Sequence, residues 1–509
     1  MIIKFLPQNV TVKGHRDESV LEAALSNGIS ITASCNASGR CGKCRVIVEE
    51  GVVRSMNGRP ENGLYLACQA YPRSDLVIRI PAESAQDEIR VLHRKGSKAE
   101  GARVGIAVDL GTTTVIAASV DLETGRELLS RSANNYQIIH GEDILTRINF
   151  CKTREGLEKL HSLIISNVNS LIQNLGGEAE KIAVTGNTTM RYIFLGKDPG
   201  IIKKNIQIRD FRESAVINGN YAGLVSGTET YVMPGISNYV GGDIVADIIA
   251  SGLHSEKEVC GLIDAGTNGE VVLGNGEWII CASTSAGPAF EGGEVHFGMR
   301  AMNGVIESVI IDDQLRYRVI GKMKPRGICG SGLIDLVSEL FKKGIIDRRG
   351  GFARDFEGRL STKDDARAFI VAFKEETGIG RDICITESEI RSIIMSKAAI
   401  YAGLATLMKE LGVTQIKKLF VSGNFGNFLN IGSAIEIGLL PKMPMNRYVF
   451  IGNGALKGAC MALADIKCRN LAQEIAEKTE YLDLQDSGLF MDEYSKALFL
   501  PHTEIDRFS

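Results

Sequence analysis

VGIAVDLGTTTVIAASVDLETGREL, residues 104–128, and CGLIDAGTNGEVVLGNGEWIICAS, residues 260–283, follow one pattern. Each is an apolar strand with an aspartate near its end, a tight turn of glycine and hydroxyl or amide residues, and a second apolar strand. The first turn region carries Asp109, Gly111, Thr112, Thr113 and Thr114; the second carries Asp264, Gly266, Thr267, Asn268 and Gly269. Such turns offer backbone N–H groups and hydroxyls to a phosphate chain, and their aspartates are able to hold Mg2+ through water. One D-x-G-T is common in ordinary turns. Two copies about 155 residues apart, each after a hydrophobic strand, read instead as a duplicated α/β fold with two phosphate loops.

The pair resembles the phosphate-1 and phosphate-2 loops of the superfamily that joins acetate kinase, sugar kinases, heat-shock chaperone ATPases and actin. Other stations of that superfamily follow in order. NYVGGDIVADIIASG (238–252) resembles its first connecting helix, and Asp243 stands where an acidic residue orients water or acts as base; a plain helix N-cap is the alternative. KLFVSGNFGNFLNIGSA (418–434) ends a strand in a glycine turn like the adenosine-binding segment, with Gly423, Asn424 and Gly426 letting the backbone approach the nucleotide. GNGALKGACMAL (452–463) resembles the second connecting helix, where Gly454 and Gly458 allow close helix crossing. ATP in a cleft between two α/β lobes is the expectation. Neither a G-x-x-x-x-G-K-S/T loop nor a Rossmann G-x-G-x-x-G with an acidic partner occurs.

Ahead of this region, ITASCNASGRCGKCRVIVEEG (31–51) and YLACQA (65–70) set Cys35, Cys41, Cys44 and Cys68 at C-x5-C-x2-C-x23-C. Four thiolates are what a 2Fe-2S cluster requires. Ser34, Ser38, Gly39 and Gly42 let the loop wrap closely, and Arg40 and Lys43 add positive charge. A four-thiolate zinc site is the competing reading, but such sites usually pair two C-x2-C knuckles and only one is present. Strands at IIKFLP, VTVKG, RVIVEEG and DLVIRIP with a helix at SVLEAALSNG complete a unit that looks like the β-grasp fold of ferredoxins, with spacing nearer the adrenodoxin variety than the plant one. The expected layout is a 2Fe-2S domain at 1–85, a polar, basic linker at 86–102 and an actin-like α/β ATPase domain at 103–509.

The 509-residue chain is long enough for several cores. A net charge of −3 offers no attraction for nucleic acid. No uninterrupted apolar stretch approaches the roughly 18–20 residues of a spanning helix, and the N-terminus reads as a strand, so a cytoplasmic protein is expected. The seven remaining cysteines are scattered and read as core thiols.

The two halves together resemble the reductive activators of corrinoid-dependent enzymes. NNYQIIHGEDILTRI (134–148), AVTGNTTMRYIFLG (183–196), GISNYVGGDI (235–244), SAGPAFEGGEVHFGMRAMNG (285–304), GICGSGLIDL (327–336) and VSGNFGN (421–427) carry the resemblance over nearly the whole chain. It implies ATP-dependent delivery of one electron to the cobalt of an inactive Co(II) corrinoid protein in a methyltransferase system, such as an O-demethylase. It also implies an unidentified low-potential electron donor and a homodimer. One departure is noted: some relatives insert a middle domain after the linker, and here about 17 residues intervene. In the 285–293 loop, Ser285, Gly287, Pro288, Gly292 and Gly293 suit approach to phosphate or a planar ligand, Glu291 suits Mg2+ or a partner, and a plain β-to-α connection stays open. Two further readings are an activator of 2-hydroxyacyl-CoA dehydratase type and a kinase with a regulatory redox domain.

Overall fold

In a computed structural model of the chain, residues 1–29, 31, 37, 39, 42, 44–56, 63–81, 84, 103–141, 143–204, 208–220, 223–225, 229–321, 323–363, 366–423, 429–484 and 487–508 are described. Cys35, Cys41, Asn424, Gly426 and the expected linker lie outside them. The chain divides into two compact units, Met1–Met233 with Ala459–Arg469, and Pro234–Gly458 with Asn470–Ser509.

The first unit opens with β1 (Ile2–Leu6), β2 (Val10–Lys13), α1 (Val20–Ser26), β3 (Arg45–Glu50), β4 (Val53–Ser55), β5 (Leu64–Leu66), β6 (Ala70–Pro72) and β7 (Leu76–Arg79). Five strands form a sheet in the order β2-β1-β7-β3-β5, with β1 and β7 parallel and the other pairs antiparallel. Period-two alternation buries Ile3, Phe5, Val46 and Ile78, and Val20, Leu21, Ala23 and Ala24 of α1 join the same core. Ser19 starts α1 by accepting a hydrogen bond from the Glu22 N–H at 3.1 Å. This is the β-grasp arrangement, with β4 and β6 pairing separately.

The same unit continues with β8 (Val104–Leu110), β9 (Thr114–Asp121), β10 (Glu127–Asn134), α2 (Ile144–Phe150), α3 (Arg154–Asn174), β11 (Lys181–Gly186), α4 (Thr188–Phe194), β12 (Ala215–Asn218) and β13 (Glu229–Val232). The sheet runs β10-β9-β8-β11-β13-β12. The β-grasp domain is seated on α3: Lys159 Nζ lies 2.9 Å from Glu22 Oε1, and Ser166 Oγ donates to the Ser26 carbonyl at 3.2 Å.

The chain goes on through α5 (Gly242–Ser251), β14 (Cys260–Ala265), β15 (Gly269–Gly274), β16 (Ile279–Thr284), β17 (Val305–Ile311), β18 (Leu315–Val319), β19 (Gly327–Ile328), α6 (Gly330–Lys342), β20 (Leu360–Lys363), β21 (Ala366–Ala372), β22 (Ile383–Thr386) and α7 (Glu387–Glu410). It ends with β23 (Leu419–Ser422), α8 (Ile431–Glu436), β24 (Tyr448–Gly452), α9 (Gly454–Ala464), α10 (Ile466–Lys478), β25 (Glu480–Tyr481) and α11 (Gly488–Ala497). The main sheet here is β24-β23-β14-β15-β16-β25.

The two large sheets share one plan. In each, an antiparallel three-strand meander (β8-β9-β10; β14-β15-β16) gains two parallel strands beside its leading strand (β11 and β13; β23 and β24). The duplicated sequence thus becomes a duplicated sheet. Helix α7 is long and apolar enough to cross a membrane by length and composition, but most of its apolar window is buried inside the protein, as in a core helix. Helix α11 packs on α7, and Lys397 Nζ of α7 donates to the Phe499 and Pro501 carbonyls at 2.7 Å, so the C-terminal segment is docked.

Candidate nucleotide and iron-sulfur sites

The first turn spans Gly111–Thr113, between β8 and β9. Gly111 is required there, because a Cβ would stand 2.4 Å from the Thr114 carbonyl oxygen. Three consecutive carbonyls are held. Asn135 Nδ2 donates to Gly111 O and Asn135 N to Thr113 O, both at 2.9 Å, while Arg147 Nη2 donates to Thr112 O at 2.6 Å. Asn187, the N-cap of α4, donates to the Thr112 hydroxyl at 2.9 Å. In a trans peptide the C=O and the following N–H point in opposite directions, so the N–H groups of Thr112 and Thr113 point away from the Asn135 and Arg147 side chains. That orientation favours an anion. Asp109 is half-buried at the end of β8 and pairs in register with Thr185 of β11.

Arg147 is the centre of this arrangement. It is fully buried, and its guanidinium also donates to Gly141 O at 3.0 Å and Gln137 Oε1 at 3.1 Å. Burial pushes it down to about 9, which leaves it a cation at neutral pH. Arg147, Asn135 and Asn187 all fall in sequence segments that carry the corrinoid-activator resemblance, yet sequence reading gave none of them a role.

The second turn, Gly266–Asn268, lies between β14 and β15 and is closed by the Gly266 N–H donating to Asn268 O at 3.0 Å. Thr267 Oγ1 donates to Glu291 Oε1 at 3.1 Å, which brings the 285–293 loop onto this turn. The loop links β16 to β17 rather than a strand to a helix. It is pinned by Ser396 Oγ donating to Ala286 O at 2.6 Å and by backbone crossing, with a Cβ on Gly292 falling 2.5 Å from Gly298. Gly269 is buried inside β15, where a Cβ would meet Ile400 of α7 at 2.6 Å; it makes room for packing. Gly423 (φ +113°) closes β23 beside Ala265 and Asp264.

Asp264 and Glu270 are direct cross-strand partners, a like-charge pairing that costs stability unless a cation offsets it. Glu270 is buried, and burial together with the negative charges of Asp243 and Asp264 raises its carboxyl well above the usual range. Glu270 therefore feels the charges of both expected aspartates. Asp243 lies in the first turn of α5, whose N-cap is Gly241. Deeper in α5, Asp247 Oδ1 accepts from Ser422 Oγ at 2.8 Å. Gly454 and Gly458 face α5 at close range: a Cβ on the first would lie 2.1 Å from Asp247 Oδ1, and on the second 2.3 Å from Ala246 O. The glycine-mediated helix crossing is as expected.

Cys44 immediately precedes β3 and Cys68 sits in the one-turn 3-10 helix Ala67–Gln69. The two segments are tied by the Ala67 N–H donating to Cys44 O at 2.7 Å. Their sulfurs are 3.3 Å apart, and the two residues are 1% and 2% exposed. That separation is far beyond a disulfide bond and close to the roughly 3.7 Å between two thiolates sharing one tetrahedral metal with bonds of about 2.3 Å. The pair fits two ligands of one iron. Elsewhere Cys151, Cys260, Cys281, Cys329, Cys384 and Cys460 are buried and Cys468 half-buried. Burial pushes the Cys151 thiol up to about 12, so it stays protonated and unreactive.

A β-grasp domain with a buried thiol pair, joined to two sheets of the plan above, each with a glycine- and threonine-containing hairpin turn, defines an iron-sulfur protein fused to an actin- and sugar-kinase-type ATPase fold. Family models agree over the chain: "2Fe-2S iron-sulfur cluster binding domain" at 3–73, "RACo middle region" at 104–256 and "C-terminal domain of RACo the ASKHA domain" at 258–509. The corrinoid activation enzyme RamQ of Eubacterium limosum is 32% identical over 77% of this chain and 69% of its own. The [Co(II) methylated amine-specific corrinoid protein] reductase of Methanosarcina barkeri is 25% identical over 77% and 76%. A solved reductive activator for corrinoid,iron-sulfur protein superposes over 100% of this chain and 99% of its own, with TM-score 0.77 and 32% identity. The chain belongs to this family of reductive activators of corrinoid proteins. The match at 104–256 corrects one expectation: the middle region is present, as the lobe that carries the first hairpin, and not an insertion after the linker.

Proposed function

We propose that this chain uses ATP to deliver one electron to the cobalt of a corrinoid protein that has lapsed to Co(II), restoring the Co(I) state needed for methyl transfer. The observation that carries this is the presence in one chain of the Cys44–Cys68 thiol pair and a duplicated sheet with two hairpin turns, along the full length of a known activator. A 2Fe-2S cluster held by Cys35, Cys41, Cys44 and Cys68 supplies a one-electron carrier near about −400 mV. Co(I) is more reducing still, so transfer runs uphill unless coupled to another process. ATP turnover is the process proposed here.

In this reading residues 1–85 are the electron inlet, 86–102 the tether and 103–509 the ATPase. Gly111 to Thr114 and Gly266 to Asn268 bind the phosphates, Gly423, Asn424 and Gly426 approach the adenosine, and Asp109, Asp243 and Asp264 hold Mg2+ or position water. The complex with the Co(II) protein is tight, and ATP free energy acts mainly to break it. An O-demethylating methyltransferase system, a cytoplasmic setting and a homodimer are the context proposed, with a low-potential donor reducing the N-terminal domain. Complex lifetime tests the coupling: dissociation from a Co(II) corrinoid protein is expected to be faster with ATP than with a nonhydrolysable analogue, and equal lifetimes would refute it.

A further inference from the structure

The amide of Gln69 touches the ligand set in a way the four cysteines do not explain. Its Nε2 donates to the carbonyl of Ala37 at 2.6 Å and lies 3.7 Å from Cys68 Sγ, within reach of a hydrogen bond to sulfur. A primary amide carries two N–H groups, so one nitrogen serves both acceptors. Ala37 belongs to the segment between Cys35 and Cys41 and holds φ +55°, a conformation that L residues rarely adopt. Gln69 thus ties the loop of the first two ligands to the fourth ligand.

We propose that Gln69 is a positioning residue that sets the reduction potential of the 2Fe-2S centre, on top of anchoring its loop. Adding an electron increases the negative charge carried by the thiolate sulfurs, so an N–H directed at Cys68 Sγ stabilises the reduced form more than the oxidised one. Gln69 therefore raises the potential. The inference rests on the 2Fe-2S assignment, and a wild-type protein that forms no cluster would fail that assignment rather than this role.

The test is an anaerobic, dye-mediated redox titration of the full-length reconstituted protein, read by visible absorbance and by the EPR signal of the reduced state. Gln69→Met keeps the side-chain length and removes the donor. Its one-electron reduction constant is expected to fall about threefold, or about 28 mV at 59 mV per tenfold. Gln69→Lys restores an N–H donor with added positive charge and is expected to raise the potential above wild type. The titration reads only loaded protein, so a role confined to loop anchoring would lower cluster content and leave the potential unchanged. A Gln69→Met potential equal to wild type overturns the proposal. If that variant takes up no cluster, Gln69→Lys decides alone, and a potential at or below wild type overturns it.

Discussion

Arg147→Met separates stability from nucleotide binding, because two opposing energies meet at this side chain. The substitution strips donors from three oxygen acceptors, Thr112 O, Gly141 O and Gln137 Oε1, and from the weaker acceptor Met190 Sδ. Leaving each oxygen unsatisfied costs about 1–3 kcal/mol, or about 3–9 kcal/mol together. Against this, burial has already pushed the guanidinium down to about 9. A fall of about 3.5 in pKa, at about 1.4 kcal/mol per unit, is a relief of about 5 kcal/mol when the charge is removed. The two terms nearly cancel, leaving a net loss of stability of about 1 kcal/mol, while the Thr112 carbonyl loses the partner that turns the Thr113 N–H outward. One misdirected hydrogen bond to a phosphate, at about 1.5–3 kcal/mol, weakens ATP binding about 10–100-fold. Urea unfolding followed by circular dichroism gives the first quantity and calorimetric ATP titration the second. A folded Arg147→Met protein that binds ATP as tightly as wild type would refute the view that Arg147 orients the turn.

Three further outcomes are expected. Glu270→Gln should stabilise the metal-free protein at neutral pH by about 1–2 kcal/mol. The sign follows from the raised carboxyl: it holds its proton more tightly folded than unfolded, so its contribution is complete below the usual carboxylate value and is lost as pH rises through the folded value. Wild-type stability should therefore decline with rising pH more steeply than that of the variant, and parallel pH profiles would contradict the clustering of the three carboxylates. Gly454→Ala drives a methyl to 2.1 Å from Asp247 Oδ1 and should lower stability by about 1–3 kcal/mol, seen as a reduced Tm. Gly488→Ala, with no atom within 4 Å, should leave Tm unchanged. Cys68→Ser should abolish the cluster absorbance and corrinoid reduction while ATP titration stays near wild type; joint loss would show that the two activities are not separable.

What the sequence made legible was whatever is encoded locally. The two hairpin turns and the cysteine spacing are contiguous signals, and both sheets and the β-grasp domain follow them. The glycines at 454 and 458 were legible for the same reason, since helix crossing distance depends on the side chain at the contact. The missed residues act across the fold. Arg147 reaches the first turn from 35 positions away, and Asn187 from 75. Glu270 becomes a partner of Asp264 only through the antiparallel register of β14 and β15, although an aspartate and a glutamate flanking one hairpin turn was a signal that could have been read. Glu291 meets Thr267 only after the 285–293 loop folds back on itself. Gly269 reads as part of the turn but packs under α7, because burial depends on what lies above the sheet.

The central claim is energy-coupled electron delivery, and one measurement addresses it directly. A Co(II) corrinoid protein from a methyltransferase system is mixed anaerobically with the reduced full-length chain, and the Co(II) to Co(I) optical change is followed with and without ATP and Mg2+. The account predicts Co(I) formation that needs ATP and disappears in Cys68→Ser. Co(I) formation at the same rate and extent without ATP would contradict it.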